Sequence, residues 1–481
     1  MTPSSTPAVA GFPETRASGD VPSLSRAGGD GRPAAPVRIV HLGLGNFFRA
    51  HQAWYTEHAP DAEHWGIAAF TGRSRRAADL LTDQDGLYTL LTRRADGVST
   101  EVISSVSAVH GVDEHEAWLG YWGDPHVAVV TMTITEAGYL RGLDGELDRS
   151  HPDVVVDIAA LRADPRARVT TGPGRVVAGL LARREADAGA LAVLPCDNLP
   201  DNGSALERVV TVLARAVDPD LVEWTADNVV FGTTMVDRIT PATTDAERVE
   251  VVESTGRVDL APVATEPFSE WVIQGGFPKG RPHWEAAGAR FVADVLPFER
   301  RKLWLLNGSH SLIAYAGSAR GHETVADAIG DPVVRGWVEE WWDEAQTHLG
   351  LDVEEITAYR GALIERFENP AIRHSLAQIA ADGSQKLRVR VLPVLAAELA
   401  AGRVPRGAAR VVAAWVAHLR GAGAPVQDFR RTEVEALVVP DMEGTVAEVL
   451  GYLDSGMRRP DLIAAVKSLV GELGEGAPPA R

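Results

Sequence analysis

The chain has 481 residues, a formal net charge of −19 at pH 7, and 45% hydrophobic and 23% charged residues. This length predicts two to three domains, each with its own core, and the acidic balance argues against nucleic acid or an anionic membrane as a partner. The one cysteine, Cys196, can form no intramolecular disulfide, so we expect a cytoplasmic protein. No apolar run of about 18 residues is present, so we expect that it does not cross a membrane.

The first 35 residues differ in composition from the rest of the chain. They are rich in Pro, Ser, Ala and Gly and contain no continuous apolar segment of the kind found in a signal peptide. Such a composition buries too little apolar surface to order itself. We therefore predict a disordered tail over residues 1–35.

A strand, a Gly-x-Gly turn and a helical pattern open the first predicted domain, residues 36–291. Residues 36–42 are β-branched and predict the strand, and Gly43 and Gly45 form the turn. The first glycine allows a tight turn, and the second allows the backbone to approach a pyrophosphate at the helix N-terminus. Phe48 stands where the third glycine of the usual fingerprint would be. The order of elements nevertheless predicts a dinucleotide-binding unit.

The end of the second predicted strand, residues 65–71, bears on the choice of cofactor. An NAD-binding unit usually carries an Asp or Glu there to hold the ribose hydroxyls. Here Arg73, Arg75 and Arg76 follow the strand instead. Arginines suit a 2′-phosphate, so NADP is an alternative to NAD. The other interpretation is that these arginines are solvated residues at the start of a helix.

Polar residues follow three further predicted strands, at the edge where ligands of a parallel sheet collect. They are Thr135 and Glu136 after residues 126–134, Asn198 after residues 191–194, and Asp237 within residues 228–241. These residues are candidates for a ligand site. For the segment around Asn198, a solvated turn rich in Asn, Asp and Pro is the alternative interpretation.

From about residue 292 helical periodicity dominates, so we predict a mainly α-helical second domain over residues 292–481. Its first helix contains Lys302, Asn307 and His310. At 3.6 residues per turn, Asn307 lies about 140° and His310 about 80° round the axis from Lys302, so all three can face one side. A lysine base, an amide that holds an oxygen and an imidazole that anchors a substrate can act on a hydroxyl or carbonyl. No His-Glu-x-x-His motif or cysteine cluster points to a metal.

Six motifs occur in order across residues 37–475: Gly43-x-Gly45-x-Phe-x-Arg49-Ala-His51-Gln, Thr135-Glu136-x-Gly-Tyr139, Cys196-Asp-Asn198, Met235-Val-Asp237-Arg-Ile-x-Pro241, Lys302-x-x-x-x-Asn307-Gly-Ser-His310 and Asp382-Gly-Ser-Gln-Lys386. Together they resemble the long-chain mannitol dehydrogenase family, which includes mannitol 2-dehydrogenases, mannitol-1-phosphate 5-dehydrogenases and fructuronate reductases. The resemblance implies an α/β fold, with an N-terminal Rossmann-type doubly wound sheet domain followed by a mainly α-helical C-terminal domain. It also implies a metal-independent oxidoreductase, monomeric as family members often are, that uses NAD or NADP.

The resemblance assigns roles to residues at the matching motif positions. Lys302 is implied to be the general base in oxidation and the general acid in reduction, while Asn198 and Asn307 stabilise the developing oxyanion. Three further implied roles are substrate binding by His310, a proton path along Glu299, and a position near the polyol for Asp237. The residues expected to bind the cofactor are Gly43, Gly45, Asn46, Phe47, Arg49, Thr135 and Glu136.

The segment over residues 369–387 bears on the substrate. It most resembles fructuronate reductases, which are D-mannonate oxidoreductases, so D-mannonate and D-fructuronate are favoured over mannitol and mannitol 1-phosphate. Arg373, His374 and Lys386 offer positive charge to a carboxylate or phosphate, and solvated bases at a helix end are the alternative. The usual Pro-Gln-Arg after the Lys-Leu pair is here Arg388-Val-Arg390. The alternative from another functional class is a non-catalytic sensor that binds a dinucleotide. The intact lysine motif argues against this alternative.

Overall fold

The N-terminal half is built on a parallel sheet, seen in a computed structural model that describes residues 21–142, 144–372 and 374–473. The strands of these residues are β1 (Val37–Leu42), β2 (Gly66–Phe70), β3 (Tyr88–Arg94), β4 (Gly97–Ile103), β5 (Val106–His110), β6 (Val129–Met132), β7 (Leu191–Pro195), β8 (Val229–Phe231), β9 (Thr233–Asp237), β10 (Val263–Thr265), β11 (Glu270–Gln274) and β12 (Arg290–Phe291). One sheet has the order β5-β2-β1-β6-β7-β8, with every pairing parallel. Counted along the chain, this order is 3-2-1-4-5-6, the doubly wound arrangement of dinucleotide-binding folds. The predicted Rossmann-type sheet is confirmed.

The centre of this sheet forms because its strands are mostly apolar. Val40 of β1 pairs with Ala68 of β2 on one side and with Val130 of β6 on the other, and all three side chains are buried. Burial on both faces is typical of a parallel sheet that helices cover. The strand order reverses between β1 and β6, which opens a crevice outside their carboxyl ends.

Gly232 divides the strand that the sequence predicts within residues 228–241. β8 belongs to the parallel sheet, whereas β9 pairs antiparallel with β11 in a separate sheet of order β12-β11-β9. A Cβ at Gly232 would lie 2.4 Å from Leu194 Cδ2 and 2.9 Å from the Gln274 carbonyl oxygen, so only glycine fits where the chain changes sheets. The single predicted strand is wrong. The break carries Asp237, at the end of β9, out of the parallel sheet.

Helices cover both faces of the parallel sheet, and a third sheet of order β10-β3-β4 lies beside it. The helices of the N-terminal half are α1 (Asn46–Ala50), α2 (Gln52–Glu57), α3 (Arg76–Thr82), α4 (His115–Trp122), α5 (Pro152–Ala163), α6 (Gly172–Glu185), α7 (Asn202–Val217), α8 (Pro219–Asn228) and α9 (Asp245–Thr255). Short 3₁₀ turns occupy Ala62–His64, Glu136–Tyr139 and Trp284–Ala287.

The C-terminal half is helical. Its α-helices are α10 (Leu296–Arg301), α11 (Ser309–Leu312), α12 (Val325–Ile329), α13 (Pro332–Ala345), α14 (Val353–Phe367), α15 (Leu376–Ala380), α16 (Gly383–Arg390), α17 (Leu392–Ala400), α18 (Arg406–Leu419), α19 (Arg431–Ala436), α20 (Met442–Leu453) and α21 (Pro460–Glu472). α18 is buried from Gly407 to His418 and packs against α13 and α21. The predicted helical C-terminal part is confirmed. Every helix of the described residues falls short of the length and apolarity that a membrane span needs.

Residues 21–35 pack against the N-terminal half, so the predicted disordered tail is corrected for these residues. Ser23 bridges to Val258, and Leu24 is buried. Arg26 Nη2 donates to the carbonyl oxygens of Ser104 and Val106, each at 2.8 Å. Specific contacts of this kind, together with the ion pairs of Arg32 with Glu57 and of Asp30 with Arg257, hold the segment. Average composition does not reveal them. Residues 1–20 lie outside the described residues.

Candidate active site

A cavity of about 550 Å³ lies outside the carboxyl ends of β1 and β2. Gly43 follows β1 with a φ of +113°, and a Cβ there would lie 2.3 Å from the Thr133 carbonyl oxygen, so this turn requires glycine. At Gly45, which also lines the cavity, a Cβ would meet the Gly43 carbonyl oxygen no closer than 3.7 Å, so the backbone is open to a ligand. The volume and the bare backbone fit a dinucleotide.

The side chains of Asn46 and Arg49 brace the start of α1 against the far wall of this cavity. Asn46 Nδ2 donates to the Pro241 carbonyl oxygen at 3.0 Å, and Arg49 Nη2 donates to Asn46 Oδ1 at 2.6 Å. Arg49 Nη1 donates to the Ala261 carbonyl oxygen, and the side chain is buried. Both predicted residues therefore line the cavity and fasten its two sides together.

Three other predicted cofactor residues do not line this cavity. Phe47 stacks on His51 with ring centroids 5.0 Å apart and packs against the apolar core. Thr135 precedes the 3₁₀ turn Glu136–Tyr139, and Glu136 lines a second cavity instead. The structure thus separates these side chains from the two glycines.

The charge around the dinucleotide-sized cavity is positive. Its lining contains the four arginines Arg49, Arg73, Arg76 and Arg248 and no Asp or Glu. Arg75 turns away from it and pairs with Asp113 at 2.6 Å and with Asp79 at 3.2 Å. Arg73 and Arg76 form no ion pair with a residue that the structure describes, and both are exposed at the cavity.

The helix that carries Lys302 is not α-helical throughout. α10 continues into a π-helical turn over Lys302–Gly308, then into α11, then into a second π turn over Ile313–Gly317. Hydrogen bonds in a π turn join residues five apart. Asn307 therefore lies closer to Lys302 around the helix axis than the about 140° predicted for a regular α-helix, and that predicted separation is wrong. The shared face itself is retained.

Two tryptophans of α13 stabilise the first π turn. Trp341 Nε1 donates to the Trp304 carbonyl oxygen and Trp342 Nε1 to the Leu305 carbonyl oxygen, each at 2.9 Å. A Cβ at Gly308 would lie 2.8 Å from Trp341 Cζ2, so glycine lets the turn approach the indole. The irregular backbone is thus held by partners from a distant helix.

The Lys302 side chain reaches from the helical half to the sheet half. Nζ donates to Asn198 Oδ1 at 2.5 Å and to the Val236 carbonyl oxygen at 2.6 Å. Burial lowers the pKa of Lys302, although the nearby Asp237 carboxylate acts to raise it. A lowered pKa makes the neutral amine accessible, as a proton-transfer base requires. Because Asn198 accepts through Oδ1, its Nδ2 group is left to hold a substrate oxygen.

Glu299 lies one helical turn before Lys302 and is buried. Burial raises the pKa of its carboxyl group to about 7, while the Asp201 backbone N–H, which donates to Oε1 at 3.1 Å, acts in the opposite direction. A carboxyl group with a pKa near neutrality can take up and release protons at working pH.

Asp237 lies behind Lys302 and does not line a cavity with it. Both of its oxygens accept from Arg366, at 2.7 and 3.1 Å, and Arg366 also binds both oxygens of Glu266, at 2.7 and 2.9 Å. Burial acts to raise the pKa of Asp237, but the positive charges of Arg366 and Lys302 outweigh it and lower the pKa. Asp237 is therefore an anion whose hydrogen-bonding capacity goes to Arg366.

His310 is buried one turn beyond Asn307, also outside the cavity lining. Its ring centroid lies 5.0 Å from that of His374 and 5.2 Å from that of Phe367. Burial and then the neighbouring His374 and Arg366 lower the pKa of His310 well below its usual value, so the imidazole is neutral. His374 is half-buried beside it, and the predicted Arg373 lies outside the described residues.

A second cavity, of about 350 Å³, brings most of the predicted catalytic residues together between the two halves. Its lining includes Glu136, Asn198, Glu299, Lys302, Asn307 and Lys386. It also includes Arg390, and the buried Arg366 lies behind the lysine; neither had a predicted role. Arg366 could have been found, because it lies on the apolar stripe of α14 formed by Ile356, Tyr359 and Leu363.

Two sequence models of one family match the chain. The mannitol dehydrogenase Rossmann domain matches residues 37–286, and the mannitol dehydrogenase C-terminal domain matches residues 294–472. The D-mannonate oxidoreductase of Escherichia coli K12 is 40% identical over 394 residues, 80% of each chain. The Pseudomonas fluorescens mannitol 2-dehydrogenase, solved as a ternary complex with NAD and D-mannitol, is 33% identical, with a TM-score of 0.76 over 92% of this chain and 93% of that one. A substrate-free D-sorbitol dehydrogenase structure is 29% identical, with a TM-score of 0.84 over 95% of this chain and 99% of that one.

Proposed function

The chain belongs to the mannitol dehydrogenase family and is a polyol dehydrogenase, and from that premise we propose that it interconverts a secondary alcohol and a ketone of a mannitol-type polyol or its sugar acid. The cofactor is a nicotinamide dinucleotide bound at Gly43 and Gly45. When bound, it would accept hydride from the alcohol carbon or return hydride to the ketone. The residues of this chain position the substrate and move its proton.

The observation that carries the proposal is the contact of Lys302 Nζ with Asn198 Oδ1 in the 350 Å³ cavity. A lysine ordinarily titrates near pH 10.4, and burial lowers the pKa of Lys302. In the oxidation direction, neutral Nζ takes the hydroxyl proton, and in the reduction direction the ammonium returns it. The amides of Asn198 and Asn307 hold the oxygen on which negative charge develops. Each such donor contributes on the order of 3 kcal/mol to the transition state.

Glu299 gives the proton a way out of the cavity. It precedes Lys302 by one helical turn and lines the same cavity. Because burial raises the pKa of Glu299 to about 7, its carboxyl group exchanges protons over the pH range in which the lysine must be reset. We propose that Glu299 passes the proton between Lys302 and solvent.

NAD is the proposed cofactor, since it is the one bound in the Pseudomonas fluorescens relative. NADP is the alternative. Arg73 and Arg76 favour it, because they line a cavity that has no acidic residue to select a ribose hydroxyl.

Among substrates, D-mannonate and D-fructuronate are favoured, because the E. coli relative named for D-mannonate is 40% identical. A mannitol 2-dehydrogenase acting on mannitol and fructose, or a mannitol-1-phosphate 5-dehydrogenase, is the alternative within the class. The Pseudomonas fluorescens structure, which contains D-mannitol, supports the first of these. A non-catalytic dinucleotide-binding sensor is the alternative outside it.

The test is the absorbance of reduced nicotinamide with purified enzyme, NAD or NADP, and a panel of D-mannonate, D-mannitol, D-mannitol 1-phosphate and D-arabinitol. We expect turnover of at least one of them, with D-mannonate best, and D-fructuronate reduced in the reverse direction. Preferred turnover of D-mannitol would move the assignment to mannitol 2-dehydrogenase. Tight binding of the dinucleotide without turnover of any substrate would favour the sensor and overturn the proposal.

A further inference from the structure

Two cations lie four residues apart on α16, and both line the 350 Å³ cavity. They are Lys386 and Arg390, each half-buried. Residues at i and i+4 of a helix are neighbours, and two like charges there destabilise the helix. Burial, and then the charge of Arg390, lowers the pKa of Lys386. Neither cation forms an ion pair with a carboxylate of the residues that the structure describes. The charges of Asp382 and Asp428 act on Lys386, and that of Glu136 on Arg390, only from beyond ion-pair distance.

Both side chains retain hydrogen-bonding capacity towards the cavity. Arg390 Nη1 donates to the Asn307 carbonyl oxygen and to Ser311 Oγ, each at 3.2 Å. Its Nε and Nη2 groups donate to no described residue. Lys386 Nζ donates to the Ile379 carbonyl oxygen at 3.1 Å, and an ammonium group has further protons to offer. A planar guanidinium with two free donor groups matches the oxygens of a carboxylate or phosphate.

Three of the four acidic residues in the cavity lining accept hydrogen bonds from other groups. Asp197 accepts from the Tyr139 hydroxyl and from the Leu199 backbone N–H, and Asp382 accepts from the Phe429 backbone N–H. Glu299 is bonded by the Asp201 backbone N–H. Glu136 is exposed. None of these carboxyl groups reaches ion-pair distance of the two cations, which leaves the cation pair for a ligand.

Resting on the proposed oxidoreductase function, we propose that Arg390 and Lys386 form a subsite for an anionic end group of the substrate, a carboxylate or a phosphate. Arg390 is then the residue that selects acidic polyol derivatives over neutral polyols. Its bond to the Asn307 carbonyl oxygen places it about one helical turn beyond Lys302, and a turn is roughly 5 Å of axial rise. An open-chain substrate bridges that span with a few carbon–carbon bonds between the reacting carbon and its charged end.

The test compares kcat/KM for D-mannonate, D-mannitol 1-phosphate and D-mannitol in the wild type, Arg390→Gln and Lys386→Met. We expect Arg390→Gln to lower kcat/KM for the anionic substrate roughly 10- to 100-fold more than for D-mannitol, because a hydrogen bond to a charged group is lost. Lys386→Met shifts the ratio in the same direction, which keeps the test valid where Arg390→Gln folds poorly. The anion that loses rate identifies the end group as carboxylate or phosphate.

Arg388→Gln is the matched control. Arg388 lies on the same helix but is exposed outside the cavity and donates to the Tyr452 carbonyl oxygen, so its substrate ratio stays at the wild-type value. Equal losses on D-mannitol and on the anion in both cavity variants would show a structural role and overturn the subsite. A wild type that oxidises D-mannitol but no anion overturns the subsite and leaves the proposed function standing. Absence of turnover with every substrate overturns both.

Discussion

Lys302 Nζ lies 2.5 Å from Asn198 Oδ1, so a lysine of the helical half and an amide that follows β7 meet across the cavity between the two halves. The contact orients the amide, since an oxygen directed at the ammonium leaves the NH₂ group for the substrate. It also ties the proton-transfer group to the sheet that carries the dinucleotide-sized cavity. A displacement of one half relative to the other would break this contact.

We expect Lys302→Ala to lower kcat by about 10²- to 10⁴-fold, the usual contribution of a general acid–base group. The dissociation constant of the dinucleotide should stay at its wild-type value, because Lys302 does not line the cofactor cavity. Steady-state kinetics and a fluorescence titration measure the two quantities. Lys467→Ala, which removes an exposed lysine paired with Glu443, is the control and should leave both unchanged. Near-wild-type turnover at neutral pH would exclude Lys302 as the base.

Glu299→Gln should stabilise the protein at high pH. Burial raises the pKa of Glu299 from 4.5 to about 7, so the folded state binds this proton more tightly than the unfolded state. Stability from this group is therefore present below about pH 4.5 and is lost as pH rises to about 7. Glutamine stays neutral, so the free energy of unfolding at about pH 8 should increase by up to about 3 kcal/mol.

Urea unfolding of Glu299→Gln at several pH values measures this difference, which should vanish at about pH 4. Asp294→Asn is the control, since Asp294 is exposed near the start of the same helix. An equal effect at both ends of the pH range would show that the glutamine acts through packing. In kinetics, the same variant should slow proton exchange and remove the titration near pH 7 from the rate profile.

The fold was predictable because local patterns carry it. Short apolar, β-branched runs such as β6 and β7 are typical of buried strands, and Gly43 permits the tight turn that leads from β1 into a helix. The break at Gly232 was signalled only by the glycine itself. The change of sheet at this point depends on how closely Leu194 and the Gln274 carbonyl oxygen approach, and those distances are properties of the folded chain.

Most of the residues predicted as catalytic line one cavity, but the sequence predicted the arrangement of their side chains less well. Lys302 and Asn307 were expected to share a helix face, and they do, but through a π turn. The indoles that hold this turn belong to a helix 37 residues further along. His310 and Asp237 were expected at the substrate, yet their side chains face His374 and Arg366. Periodicity in the sequence predicts the direction in which a side chain points, but it does not identify the residue that the side chain contacts there.

Arg366→Met should destabilise the protein by about 3–5 kcal/mol, the usual result when one partner of a buried ion pair is removed. Asp237 and Glu266 would be left as buried carboxylates without their cation. Because protonation relieves such charges, the loss should be smaller at about pH 5 than at about pH 8. Chemical unfolding at the two pH values measures it.

The control for Arg366→Met is Arg360→Met on the same helix, α14. Arg360 pairs with an exposed carboxylate of Asp343, so its loss should stay within about 1 kcal/mol. A second variant, Arg366→Met with Glu266→Gln, should recover part of the stability by removing one unpaired charge. A loss independent of pH would mean that the cost is one of packing alone.

Gly308→Ala should lower both stability and kcat. The added Cβ would lie 2.8 Å from Trp341 Cζ2, and overpacking of this kind costs about 1–3 kcal/mol. Movement of the π turn would shift Asn307, which precedes the glycine. Gly336→Ala in α13 is the control, because that glycine is exposed with nothing within 4 Å of its Cβ position. It should stabilise the protein by about 0.5–1 kcal/mol and leave kcat unchanged, as thermal unfolding and initial rates would show.

Arg73→Ala and Arg76→Ala should each raise KM for NADP by about tenfold or more, with a smaller effect on KM for NAD, because a charge-assisted hydrogen bond to the 2′-phosphate is lost. Both arginines line the cofactor cavity and form no ion pair with a described residue. Arg75→Ala is the matched control from the same segment, since Arg75 is held by Asp113 and Asp79, and its NADP-to-NAD ratio should equal that of the wild type. Initial rates with each cofactor at a fixed, saturating substrate concentration give these ratios. Equal changes for NAD and NADP in the Arg73 and Arg76 variants would show that the arginines only brace the loop and would remove the structural argument for NADP.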